Sequence, residues 1–131
     1  MDQDAEPRGE ELTEGLVDPR APWEELVEDP AAPRAMLAVM FTDIVGSTEL
    51  ATALGDKRWR ELLEQHDKAI REQIARFDGR EVDTAGDAFF ATFGLAVRAV
   101  DCALESARAV RRLGLRIRAG VHMGECVVSQ D

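Results

Sequence analysis

The stretch Met36-Leu37-Ala38-Val39-Met40-Phe41-Thr42-Asp43 lies near the start of the folded part of this 131-residue chain and decides the fold. Its first six residues are all apolar, which is typical of a strand buried on both faces. Thr42 and Asp43 interrupt the apolar run. We therefore expect the strand to end there and to carry a carboxylate at its end.

Two helices are predicted after this strand. The segment Gly46-Ser47-Thr48 suits a helix start with Ser47 as the N-cap, and Gly55 suits its stop. Asp56 can cap a second helix, which Asp78-Gly79 ends. Apolar residues of this second helix recur at spacings of three and four, and so they share one face. They are Trp59, Leu62, Leu63, His66, Ile70, Ile74 and Phe77.

A hairpin and a third helix are predicted next. The β-capable residues 80–84 and 88–93 flank Ala85-Gly86-Asp87, which places Asp87 at the turn. Gly94 separates the hairpin from the third helix. The predicted inward face of that helix consists of Val97, Val100, Leu104, Ala107 and Val110.

The end of the chain is predicted to be strand. Residues 115–122 alternate apolar side chains with Arg116 and Arg118. Gly124 is interpreted as a turn, after which Cys126-Val127-Val128 begins another strand. The element order β-αα-β-β-α-β, with right-handed crossovers, predicts an α+β fold. It is a ferredoxin-like antiparallel sheet with helices on one face, and its first strand lies beside the second and third.

Charge and proline divide the chain into two predicted parts. Residues 1–34 hold all five prolines and eleven acidic residues against three arginines, so they carry most of the chain's net charge of −10. Such a segment buries too little apolar surface to offset its ordering entropy, so we expect a disordered acidic tail over 1–34 and a folded domain over 35–131.

Composition also limits the partners and the location. An acidic chain without a basic stripe argues against nucleic acid. The longest apolar run, residues 35–41, is far shorter than the ~20 residues of a membrane-spanning helix, so no membrane segment or signal peptide is expected. Cys102 and Cys126 form no CxxC pattern and are interpreted as small hydrophobic residues in a reducing cytoplasm.

Asp43 and Asp87 are the candidate metal ligands. In the predicted sheet the first strand's end and the hairpin turn meet. Two carboxylates there suit Mg²⁺, which fills its other positions with phosphate oxygens and water. The helix start at Gly46-Ser47-Thr48 offers free N–H groups to an anion. Taken singly, each aspartate is more often a cap or turn residue, and only their joint placement favours a site. His66 and His122 are interpreted as packing residues.

Three motifs together resemble class III adenylyl and guanylyl cyclases. Residues 41–48, FTDIVGST, resemble the first-strand signature of that family. Residues 79–93, GREVDTAGDAFFATF, resemble its metal-binding hairpin, and residues 118–125, RAGVHMGE, resemble the following core strand. The resemblance covers the chain from about Met36 to its end.

The resemblance implies an active site and a reaction. Two ions, Mg²⁺ or Mn²⁺, are expected on Asp43, Asp87 and the backbone carbonyl of Ile44. Gly46, Ser47 and Thr48 match the phosphate-contacting turn. The substrate, ATP or GTP, is converted to the 3′,5′-cyclic monophosphate and pyrophosphate at the interface of a homodimer or a heterodimer with another cyclase domain.

Two departures from the family's pattern remain. Asp83 stands where adenylyl cyclases commonly carry a purine-reading Lys, and a carboxylate suits guanine, because it only accepts hydrogen bonds. The chain also ends at Asp131, before the family's Asn and transition-state Arg, so little turnover is expected from this chain alone. The alternative is a non-catalytic cyclase-like module that binds nucleotide or a full-length cyclase. No GG[DE]EF-like run supports a diguanylate cyclase.

Overall fold

The computed structural model describes residues 34–127, and residues 36–125 form one compact unit. The predicted acidic tail lies outside the described residues, except for Arg34, and stays a prediction. In chain order the elements are β1 (Arg34–Ile44), α1 (Ser47–Leu54), α2 (Asp56–Arg76), β2 (Arg80–Ala85), β3 (Ala88–Phe93), α3 (Ala96–Arg111) and β4 (Ile117–Val127).

The strands form a four-stranded antiparallel sheet in the order β2-β3-β1-β4. This confirms the predicted ferredoxin-like α+β fold and the central position of β1. The prediction that β1 lies beside both hairpin strands is wrong. β1 pairs with β3, with Phe41 opposite Phe90 and Thr42 opposite Phe89. Its other neighbour is β4, and β2 lies at the edge because the hairpin extends away from β1.

Strand β1 is buried on one face, not on both as its apolar run predicted. Ala38, Met40, Thr42 and Ile44 are buried, while Phe41 is 47% exposed. The ring of Phe41 lies 6.0 Å from that of Phe90 on this second face. A Cβ at Gly120 of β4 would come within 2.3 Å of the Phe41 ring, so only glycine leaves room for the ring in this position. We call this second face, around Phe41, Phe90 and Gly120, the open face.

Helix α2 covers the core in the predicted way. His66, Ile70 and Ile74 are buried, and the remaining predicted face residues pack around the core half-buried. The helix ends at Arg76, and Gly79 N–H donates to the Ile74 carbonyl at 2.8 Å. The three-and-four spacing of large apolar side chains was therefore sufficient to predict this element.

Helix α3 packs through a different face from the one predicted. Ala99, Cys102, Ser106 and Val110 are buried, whereas Val97, Val100 and Leu104 are exposed. The inward face consists mainly of small residues, which let the helix approach the sheet and α2 closely. Of the residues predicted to face inward, Val110 is buried as expected, but Val97, Val100 and Leu104 face outward, so apolar size alone does not define the packed face. Burial raises the pKa of the Cys102 thiol, which keeps it protonated.

Strand β4 is longer than predicted. It begins at Ile117 and runs without a break through Gly124 to Val127, so the predicted turn at Gly124 and the separate final strand are both wrong. Val128 lies outside the described residues. Leu115, predicted as strand, is instead buried below the end of α3, with its N–H donating to the Val110 carbonyl at 3.1 Å.

An ion pair joins α2 to the edge strand. Arg71 Nε donates to Glu81 Oε1 at 2.8 Å, and the Thr84 hydroxyl also donates to Glu81. The Arg71 guanidinium, followed by the Thr84 hydroxyl, holds the pKa of the Glu81 carboxyl below its ordinary value. Because that pKa is lower in the folded chain, the stabilisation is present above about pH 4.3 and disappears as the pH falls below it.

Arg71→Met is therefore expected to lower the free energy of unfolding by about 0.5–1 kcal/mol at pH 7, since both side chains are partly exposed. The difference from wild type should shrink as the pH falls below about 4. Urea unfolding across pH 3–8 measures it, with Arg60→Met, an exposed arginine on the same helix, as the control. A difference that stays constant to pH 3 would contradict the proposed origin.

Candidate functional site

The carboxylate of Asp87 reaches the end of β1. The hairpin turns through Gly86, whose φ of 61° is in the left-handed region that glycine adopts without strain. The β1–β3 register, continued two residues beyond the Thr42–Phe89 pair, sets Asp87 opposite Ile44. Asp87 Oδ2 accepts a hydrogen bond from the Ile44 N–H at 2.9 Å. Asp87 is thus fixed beside the peptide that follows Asp43.

Asp43 forms an ion pair that the sequence did not predict. Its side chain is 46% exposed, and its Oδ1 accepts from Arg118 Nε on β4 at 3.1 Å. Asp43 lies two residues from Phe41 in the same strand and so on the open face. Arg118 had been interpreted only as an outward position of an alternating strand. The position of β4 beside β1 in this topology is the feature that could have indicated the Arg118–Asp43 pair.

The turn after β1 differs in detail from the prediction. Gly46, with φ 69° and ψ 32°, is the N-cap of α1, and Ser47 is the first residue of the helix instead of its cap. The left-handed conformation explains the change, because glycine adopts it most easily. The first turn of a helix has N–H groups without intrahelical partners, which favour an anion.

A cleft of about 310 Å³ lies between the start of α1, helix α2 and the hairpin turn. Its lining includes Ser47, Thr48, Gly86 and Asp87, together with Trp59 and Leu63 of α2. Ser47, Thr48 and Asp87 belong to the predicted site, and Gly86 was predicted only as part of the hairpin turn. The two α2 residues were predicted only as core, and they give the cleft an apolar wall.

Asp83 lies on β2, apart from this cleft. It pairs with Phe90 across the hairpin, and directly opposite residues share a face, so Asp83 is on the open face. The carboxylate is exposed, and its Oδ1 accepts from the Thr84 N–H at 2.8 Å. Two strand spacings, roughly 10 Å, separate β2 from β1.

The two histidines differ in environment. His66 is fully buried, in agreement with its interpretation as a packing residue. His122 is exposed on β4, so the packing interpretation is wrong for it. Gly124, two residues further on, lies beside the His122 ring.

The donor set at the end of β1 suits a hard divalent ion. Asp43 and Asp87 supply carboxylates, the backbone around Ile44 supplies a carbonyl, and the hydrogen bond from Ile44 to Asp87 holds these groups in one region. Within residues 34–127 no cluster of three or more His, Cys, Asp or Glu side chains is arranged to bind a metal. Two carboxylates alone fit an ion whose remaining ligands are phosphate oxygens and water.

The sheet, its two aspartates and the adjoining helix start define a domain of the nucleotidyl cyclase class. The family profile described as adenylate and guanylate cyclase catalytic domain matches residues 30–131, and the chain belongs to this family. Catalytic domains of this family use divalent metal ions. None of the three helices in the described part has the length and apolar character needed to cross a bilayer.

Individual relatives agree with the family assignment. The chain is 30% identical over 125 residues to an adenylate cyclase of Podospora anserina, covering 76% of this chain and 6% of that protein, so it spans only a small part of that relative's length. The adenylyl cyclase CyaB from P. aeruginosa superposes with a TM-score of 0.69 at 25% identity, covering 75% of this chain and 60% of that one.

A third relative shares the fold. The guanylate cyclase domain of RhGC from Catenaria anguillulae, solved in complex with GTP, superposes with a TM-score of 0.66 at 22% identity, covering 76% of this chain and 69% of that one.

Proposed function

We propose that this domain converts a purine nucleoside triphosphate to the 3′,5′-cyclic monophosphate. The ribose 3′-hydroxyl oxygen forms a bond to the α-phosphorus, the bond from that phosphorus to the α–β bridging oxygen breaks, and pyrophosphate leaves. The observation that supports this most is the 2.9 Å hydrogen bond from Ile44 to Asp87, because it brings two carboxylates to one strand end beside the start of α1.

The proposed roles follow from the contacts. Asp43, Asp87 and the Ile44 carbonyl would hold Mg²⁺ or Mn²⁺, two ions per site. When bound, such ions neutralise phosphate charge and make the 3′-hydroxyl a better nucleophile. Gly46, Ser47 and Thr48 offer backbone N–H groups to phosphate oxygens at the helix start.

Arg118 supplies positive charge at the same strand end. In the structure its guanidinium neutralises Asp43. Because a guanidinium also binds phosphate, Arg118 is free to turn to the triphosphate once a divalent ion has replaced it at Asp43. The net charge of the site then stays close to balanced.

The open face suggests where a partner binds. Phe41 and Phe90 are about half-exposed beside Asp43, an apolar surface that a second domain would cover. We propose that this domain works as a homodimer or with another cyclase domain, in the cytoplasm, where purine triphosphates are available.

Asp83 is the proposed purine-reading residue. It shares the open face with Asp43 and lies far enough away to leave room for a ribose between them. Its carboxylate accepts from the N1 and N2 donors of guanine, and adenine offers no such pair. GTP is therefore the expected preference, and Asp83→Lys should shift the preference toward ATP.

A complementation assay tests this function. The chain is mixed with an intact cyclase domain whose own metal aspartates are changed to alanine, so that only this chain supplies metal ligands. Cyclic nucleotide and pyrophosphate are measured from GTP and ATP. Mn²⁺-dependent product in the mixture, absent from the altered partner alone, is the expected result, with the GTP-to-ATP ratio reduced by Asp83→Lys. Nucleotide binding without any product would favour the non-catalytic module.

A further inference from the structure

Two buried polar atoms belong to residues that neighbour Phe89. Thr42 is 1% and His66 0% exposed, yet Thr42 Oγ1 and His66 Nε2 have no hydrogen-bond partner among the described residues. Thr42 on β1 is the register partner of Phe89 on β3, and the His66 ring lies 5.8 Å from the Phe89 ring. Both atoms are therefore inside the layer between β1 and α2.

The chemistry of the two groups is complementary. His66 Nδ1 is 2.8 Å from Asp67 Oδ1, and a carboxylate only accepts, so Nδ1 carries the proton. In the neutral ring Nε2 is then an acceptor. The Thr42 hydroxyl is a donor. Leaving a buried donor and a buried acceptor both unsatisfied costs about 1–3 kcal/mol for each group, which a link between them would remove.

We propose that Thr42 and His66 are joined by hydrogen bonds through one buried water, and that this link positions Asp43. A site that is polar and has two or more partners is where a buried water binds. Thr42 immediately precedes Asp43, and side chains alternate along a strand. Fixing the Thr42 side chain toward α2 therefore fixes the direction in which the Asp43 side chain projects from the open face.

The link would connect helix α2 to the metal site. His66 lies about one helical turn past Leu63. The Leu63 side chain lines the cleft together with Asp87. His66 and Thr42 are thus positioning residues, and neither touches a reacting group. The positioning role rests on the proposed function, whereas the hydrogen bond itself does not.

A double-mutant cycle on the full chain tests the hydrogen bond without metal or nucleotide. Thr42→Val and His66→Phe are each expected to raise the unfolding equilibrium constant about tenfold, because each leaves one buried polar group unsatisfied. The double variant should raise it by about the same factor, not by the hundredfold product. Multiplying effects in the double variant would overturn the link.

Two further measurements separate positioning from packing. Thr42→Ser keeps the hydroxyl and should restore both the stability and the wild-type ¹⁵N shift of His66 Nε2, which Thr42→Val should move while Nδ1 stays in place. Thr92→Val, the same substitution on neighbouring β3, is the matched control and should leave that shift unchanged.

Mn²⁺ affinity then tests the effect on Asp43. Thr42→Val is expected to weaken Mn²⁺ binding about tenfold, as for other groups that orient a ligand, and Thr42→Ser to rescue it. Unchanged affinity in Thr42→Val would overturn the positioning role. If the wild-type chain binds no Mn²⁺, the proposed metal site fails and the positioning role fails with it, while the cycle decides the hydrogen bond independently.

Discussion

Asp43→Asn and Asp87→Asn are each expected to abolish the thermal stabilisation of the chain by a divalent metal with a nucleoside triphosphate. For wild type, ligand at a hundred times its Kd stabilises the fold by about 2.7 kcal/mol, which raises the Tm by on the order of 10 °C for a domain of this size. Removing one of two carboxylates from the ion's ligand set should reduce the shift to within about 1 °C of zero at the same concentrations.

Asparagine is the informative substitution because it preserves the fold. In Asp87→Asn the side-chain amide oxygen can still accept the Ile44 N–H that the Asp87 carboxylate accepts now at 2.9 Å, so the hairpin keeps its position. Asp101→Asn, an exposed aspartate on α3, is the matched control and should retain the full shift. A full shift in either site variant would argue against a shared metal site.

Arg118→Ala is expected to change the binding of Mn²⁺ alone and the binding of the metal–triphosphate complex in opposite directions. Its guanidinium occupies one oxygen of Asp43 in a half-exposed ion pair, and such pairs contribute about 0.2–1 kcal/mol. Binding of Mn²⁺ alone should therefore strengthen by up to about fivefold. Binding of the metal–triphosphate complex should weaken, because a positive charge has been removed beside the phosphates.

The sequence predicted those parts of the fold that a single periodicity determines. The spacing of Trp59, His66, Ile70 and Ile74 defined α2, and the Gly86-Asp87 turn defined the hairpin, because in each case only one face or one register was available. Helix α3 has two apolar stripes, and periodicity cannot choose between them. The stripe that packs inward contains the small residues Ala99, Cys102 and Ser106, because close packing against the neighbouring surfaces decides which stripe is buried.

The candidate site likewise contains residues that the sequence predicts and a contact that it does not. Asp43 and Asp87 follow from the topology, since the end of β1 and the hairpin turn must meet in this fold. The Arg118 ion pair depends on the register between β1 and β4, which no local pattern encodes. The apolar run of β1 was also misleading, because it does not distinguish a strand covered on both sides from one whose second face is left to a partner.

Gly79→Ala is expected to be the most destabilising small substitution in the sheet region. A Cβ there would lie 2.4 Å from Phe93 Cε2, 2.6 Å from Phe93 Cζ and 3.0 Å from Ile74 Cγ2. Phe93 is 1% exposed, so its ring has no free space into which to move. Overpacking of this kind costs about 2–3 kcal/mol and should lower the Tm by roughly 10–20 °C in thermal unfolding monitored by circular dichroism.

Two other glycines distinguish this steric cause from a general cost of replacing glycine. Gly94 has no atom within 4 Å of an added Cβ and lies outside the left-handed region, so Gly94→Ala should change the free energy of unfolding by no more than about 0.5 kcal/mol. At Gly120 the added Cβ would meet the Phe41 ring at 2.3 Å, but that ring is on the open face and can turn outward. Gly120→Ala should therefore cost less than Gly79→Ala, although the contact is equally short. Equal losses for Gly79 and Gly94 would mean that the buried Phe93 ring does not determine the effect.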